Sequence, residues 1–203
     1  MVEGVAAIMT SWKDPSILNL GGGGRAIIPA AYPEALARTE DAMPNHYSFL
    51  LDTYETEILK IVTIWNAFPE SKVDFRPAPK SRSVIQQYEH QVQSEGKWMT
   101  AMMGLNTGDP NPAQRTKQGF IEKYRGDAER RLAMMREKPE SWWEETTSFF
   151  DVQRSKAWIM TRRMTHSSHH RGQLIIYLRL LDIKVPSVYG PTADTDGKVI
   201  YAF

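Results

Sequence analysis

The chain contains no cysteine. Disulfides, a thiolate zinc site and a cysteine nucleophile are therefore excluded, and the redox compartment is unmarked. Charge of one sign is lacking too. Its 25 basic and 24 acidic residues leave a net charge of +1, so no broad field favours nucleic acid or an anionic membrane. No apolar run approaches the ~20 residues that a membrane span requires. The first residues carry Glu3 and break at Lys13-Asp14-Pro15, without the basic start and apolar centre of a signal segment. The expectation is a cytoplasmic protein with neither a membrane nor a nucleic-acid partner. At 203 residues, 41% hydrophobic and 24% charged, the chain suits one globular domain with appendages.

Residues 1–40 contain Gly21-Gly22-Gly23-Gly24 and Pro15, Pro29 and Pro33, and read as an extended arm. Four helices are expected after it. The first runs from about Pro44 to Phe68, with Tyr47, Leu50, Leu51, Tyr54, Ile58, Ile61, Val62 and Trp65 at three- and four-residue spacing. A linker over 69–80 holds Pro77 and Pro79, which oppose helix. The second spans about Ser83–Gly104, opened by a capping box at Ser83 and Gln86. The third is expected from the Asn111-Pro112 pair to about Lys138. An irregular or extended aromatic connector over 139–151 leads to the fourth, from about Val152 to Leu181. The tail from Pro186 onward is turn-rich. Such a pattern predicts an all-α, four-helix bundle, with an arm at 1–40, the bundle at 41–186 and a tail at 187–203 packing on it. Met102, Met103, Met134, Met135, Met160 and Met164 read as core filler.

Three of the five histidines fall within Thr165-His166-Ser167-Ser168-His169-His170-Arg171-Gly172-Gln173. On a helix, His166 and His170 share one face, together with Ile159, Gln173 and Tyr177. Two imidazoles one turn apart can ligate a single metal ion; a hydrogen-bonded histidine pair is the alternative, and a metal needs a further ligand. His169 lies one position off this face. His46 would stand at the end of the bundle. His90, in the second helix, lies nearly opposite the apolar stripe of Ile85, Tyr88, Val92 and Met99, on the side of Ser83, Gln86, Gln87 and Ser94. That side is either solvated or the polar wall of a cleft, and periodicity favours the solvated reading.

Other chemistries lack their markers. Ser167 stands where a zinc protease of the HExxH type has its glutamate, so the general base is missing. The glycine run is not followed by the Lys-Ser/Thr ending of a phosphate loop, and no Gly-x-Ser-x-Gly elbow is visible. Arg154, Lys156, Arg162 and Arg163 read as a solvated helix face rather than a phosphate-binding patch.

The run from His166 to Leu174, followed by Tyr177-Leu178-Arg179, resembles the signature of the DinB family, also called DinB/YfiT-like metalloproteins. Ser83, Val84, His90, Glu95 and Trp98 resemble the family's second-helix pattern. Phe75-Arg76-Pro77-Ala78 and the segment from Pro186 to Asp194 resemble its linker and tail. This resemblance spans about residues 41–195. It implies an up-down-down-up bundle carrying a divalent metal, zinc or nickel, on His90, His166 and His170. Arg171 and Gln173 match motif positions and are implied to orient ligands or bind substrate. Characterised relatives include thiol-dependent S-transferases and isomerases. A metal-dependent transferase or hydrolase is implied, acting on a small molecule, with a low-molecular-weight thiol as co-substrate and a role in stress or detoxification. A non-catalytic metal- or ligand-binding bundle is the alternative, and a homodimer through bundle faces is a further expectation. The arm before residue 40 departs from the compact family pattern.

Overall fold

The structure, a computed structural model, describes residues 45–196. The arm expected over 1–40, Pro44 and the end of the tail beyond 196 lie outside the described residues. Four long helices dominate: α1 (Ser48–Ala67), α2 (Val84–Met103), α3 (Lys117–Arg136) and α5 (Lys156–Leu180). Between α3 and α5 stand a short α4 (Glu140–Glu144) and a hairpin of β1 (Thr146–Phe149) and β2 (Val152–Ser155). Among the described residues, no helix is long and apolar enough to cross a membrane.

Local chemistry sets these boundaries. The capping box forms as the sequence predicts: Gln86 N–H donates to Ser83 Oγ at 3.4 Å, and Ser83 N–H to Gln86 Oε1 at 3.0 Å. α2 ends at Gly104, whose φ of +68° is the left-handed conformation that glycine adopts without a Cβ penalty. The third helix starts later than expected. Thr116, not Asn111, caps α3, accepting from Gly119 N–H at 3.1 Å. Asn111 instead receives Gln93 Nε2 at 2.9 Å and donates its own N–H to Asp109 Oδ1 at 2.9 Å. In a segment rich in Asn, Asp, Gly and Pro, such local bonds compete successfully with helix.

The fourth helix is shortened as well. Val152–Ser155 pairs antiparallel with Thr146–Phe149, with Phe149 opposite Val152 and Thr146 opposite Ser155. Ser155 then caps α5 by accepting from Trp158 N–H at 3.2 Å. The β-branched and aromatic residues of this segment favour the pleat.

α1 and α2 each pack against both α3 and α5. Trp65 joins three helices, with its ring 4.3 Å from Tyr88 and 5.0 Å from Tyr124. Ile58, Ile61, Val92, Met99, Leu132, Ile159 and Leu174 fill the space around them. Met103, Met135, Met160 and Met164 are buried, and Met102 and Met134 pack against the core as its filler.

A charged cluster lies at the centre of this apolar packing. Fully buried Glu95 accepts from Tyr54 Oη at 2.5 Å, Arg131 Nη1 at 3.1 Å and Arg163 Nε at 3.2 Å. Arg163 is therefore not part of a solvated basic face: it is 1% exposed, and it also donates to Ser94 and Ser167. One carboxylate shared by two guanidiniums and a phenol fixes α2 against α1, α3 and α5 at one register.

Candidate metal centre

α2 and α5 run side by side, in contact through Gln87–Gln173 near one end and Ser94–Arg163 further along. This antiparallel pairing brings His90 opposite His166 and His170. The ring centroids of His90 lie 5.4 Å from His166 and 4.6 Å from His170, and those of His166 and His170 lie 4.5 Å apart. One candidate ligand atom from each of the three lies within 4.8 Å of the others, and among the described residues this is the group of His, Asp or Glu that can hold a metal ion.

The donor set fits such an ion. Nε2 of His166 and Nε2 of His170 are 3.2 Å apart. Two nitrogens sharing a tetrahedral zinc at ~2.0–2.1 Å would stand about 3.3 Å apart. The ligand nitrogens must be neutral, and the surroundings of all three imidazoles favour the neutral form. Burial, followed by the charge of Arg163, pushes His166 down to about 3. Burial and the neighbouring His90 push His170 down to about 4, while burial and the charge of Arg82 lower His90. His166 Nδ1 is buried without a hydrogen-bond partner.

Other site residues have distinct surroundings. Gln173 Oε1 stands 3.0 Å from His170 Nδ1 and accepts from Gln87 Nε2 at 2.9 Å, while its Nε2 meets His169 Nε2 at 3.1 Å. Arg171 is buried and donates to Glu57 and to Ser168 Oγ. Burial opposes ionisation of Glu57, but Arg171 and Lys60 hold its carboxyl below the ordinary range. Trp98 lies 5.5 Å from the His166 ring, and Phe149 of the hairpin packs edge-on against Trp98 at 5.3 Å. His46 is remote from the cluster and pairs with Glu140 on the surface.

Phe149 could not be located from periodicity, because its approach depends on the hairpin. Its place in an aromatic connector was the available signal. The Glu95 cluster was equally hidden: nothing local distinguishes its buried charges from the solvated ones nearby.

Residues 43–196 match the DinB family. The chain belongs to the DinB family. Its fold is similar to that of a DinB-like protein from Bacillus cereus, at a TM-score of 0.64 and 18% identity, covering 72% of this chain and all of that one (100%). It is also similar to a DinB-like protein from Bacillus subtilis, at a TM-score of 0.55 and 15% identity, covering 66% of this chain and 92% of that one. No curated protein matches the chain. At such identities the DinB-like structures support the fold alone.

Proposed function

We propose that His90, His166 and His170 ligate one divalent ion, zinc or nickel, and that the centre catalyses transfer of a small thiol to an electrophile. The observation that carries this reading is the convergence of three neutral imidazoles, two from α5 and one from α2, beside an aromatic wall. Three histidines leave a four-coordinate ion one position for substrate, as in catalytic zinc sites. When bound, the ion supplies Lewis acidity that lowers the pKa of a thiol or of water at neutral pH.

The chain's own residues supply orientation. Gln173 accepts from His170 Nδ1–H, which leaves the His170 Nε2 lone pair for the ion. Arg171, paired with Glu57, holds α5 against α1 behind the histidines. Trp98 and Phe149 exclude water from one side and offer a surface for an apolar electrophile. In the overall reaction a sulfur–carbon bond forms and the bond from carbon to its leaving group breaks. The thiol proton leaves with that group or passes to solvent. The up-down-down-up arrangement belongs to the same reading, supported by side-chain pairs that run antiparallel between α2 and α5 and between α1 and α3 (Lys117 with Phe68, Arg136 with Glu55).

Elemental analysis of the chain purified without added metal tests the ligands. About one ion per chain is expected, and it should be lost in His170→Ala but retained in His169→Ala. Stoichiometric metal in His170→Ala would refute the assignment. For the chemistry, metal-loaded protein is mixed with N-acetylcysteine and monochlorobimane; a rate no higher than that of metal-free protein would reject the transferase reading.

A further inference from the structure

Beside the histidines lies a depression of about 530 Å³ lined by Arg76, Lys80, Arg82, Gln87, Gln173 and Tyr177, among others. Its lining contains two arginines, one lysine and no carboxylate. The three cations are not equivalent. Arg76 is committed to the protein: it donates to the Ser81 carbonyl at 2.5 Å and to Gln86 Oε1 at 2.8 Å, and so fixes the loop to the start of α2. Tyr177 Oη donates to the Arg82 carbonyl at 3.0 Å, which holds the backbone of that residue. The side chains of Lys80 and Arg82 have no hydrogen bond or ion pair among the described residues.

We propose that this depression is a subsite for a small anionic group, a carboxylate or phosphate on the co-substrate, bound by Lys80 and Arg82 on a platform held by Arg76 and Tyr177. Four considerations support it. In a chain of net charge +1, such cations collected without an acid form a local feature rather than part of a general field. Guanidinium and ammonium donors match carboxylate and phosphate oxygens, and charge-assisted bonds are the stronger kind. The volume suits a small molecule. Gln87 keeps Oε1 buried and unpartnered in the wall, an acceptor that a ligand or water N–H or O–H would satisfy.

The connection to the metal centre is short. Gln173 lines the depression and also contacts His170 Nδ1. An anionic group held by Arg82 would leave the remainder of the molecule within reach of the three imidazoles. As a statement about co-substrate, the proposal rests on the reading of that centre as catalytic. It narrows the thiol to one bearing an acidic group.

The test uses the full-length chain in two arms. First, inorganic phosphate and succinate are each titrated into metal-free protein by calorimetry at low salt, so that no ion can hold the anion. Saturable binding of at least one is expected, weakened about tenfold or more in Lys80→Gln/Arg82→Gln. A charge-matched double variant elsewhere, Arg125→Gln/Arg136→Gln, is expected to bind like the parent. Which anion binds more tightly separates a carboxylate from a phosphate ligand. Absence of saturation by both, or equal weakening in the two double variants, would overturn the subsite.

In the second arm, metal-loaded protein is assayed with monochlorobimane and either N-acetylcysteine or β-mercaptoethanol. The pocket variant should raise KM for the acidic thiol about tenfold and leave KM for the neutral one unchanged. If neither thiol reacts while anion binding depends on Lys80 and Arg82, the transferase reading fails and the subsite stands. If both thiols react and the acidic one is unaffected by the pocket variant, the subsite fails and the transferase reading stands.

Discussion

Gln173 Oε1 faces His170 Nδ1 at 3.0 Å, so the opposite nitrogen of that ring, Nε2, is the one turned toward His166. One amide thereby selects the tautomer of a candidate ligand and fixes its plane. Removing such a partner typically costs about 10–100-fold in metal affinity. Gln173→Leu is expected to weaken metal binding by that order without unfolding the chain, since the residue is only partly buried. Competition with a chromogenic chelator measures it, and an unchanged affinity would remove Gln173 from the support of the centre.

The Glu95 cluster makes a second prediction. Removing one partner of a buried ion pair leaves uncompensated charge and costs about 3–5 kcal/mol. Glu95→Ala would leave Arg163 without a carboxylate and Arg131 with Asp127 alone inside the bundle. It should lower the urea midpoint sharply, whereas Glu129→Ala, which removes an exposed pair with Arg125, should shift it little.

Acid sensitivity of the metal-free chain is a third. The folded-state pKa values of His166 and His170 lie near 3 and 4, below the ordinary 6.5. Between these limits the unfolded chain binds more protons than the folded one, so stability falls as pH falls. The loss should begin near pH 6.5 and continue toward the folded values. Carboxylates such as Glu57, with an ordinary value of 4.5, overlap only the acid end of that range and contribute little above about pH 5. Urea midpoints of metal-free protein at about pH 7 and pH 5 isolate the histidines, and His166→Asn should flatten the dependence. A parent chain equally stable at both pH values would contradict it.

Gly96 provides a fourth. A Cβ built there would lie 2.6 Å from Pro110 Cβ, where the loop before α3 crosses α2. Gly96→Ala must displace that loop, at a cost of about 1–3 kcal/mol of overpacking, despite the better helix propensity of alanine. Thermal unfolding would register a lower Tm; a rise would mean that the loop yields freely.

The helices were legible because each writes its apolar stripe and its caps locally. Ser83 and Gln86 announced α2, and the spacing of His166 and His170 put them on one face of α5. The loop before α3 and the hairpin before α5 were harder to read. Asn111 is a plausible cap until its side chain finds Gln93, and Val152–Ser155 continues a helix-like segment until Thr146–Phe149 pairs with it.

The histidine pair itself was fixed by sequence, because helical periodicity places residues four apart on one face whatever the rest of the chain does. His90 was not. Its own helix argued for a solvated position, since the apolar stripe of α2 lies on another side, and only the resemblance pointed inward. α2 is flanked by both α3 and α5, and its second buried face is polar: Gln87, Gln91 and Glu95 are nearly inaccessible. Hydrophobic periodicity cannot register a buried face made of polar groups, of which Gln87 and Glu95 find partners distant in sequence. Packing of α2 on α5 brought the third imidazole to the other two, and local sequence carries no record of that contact.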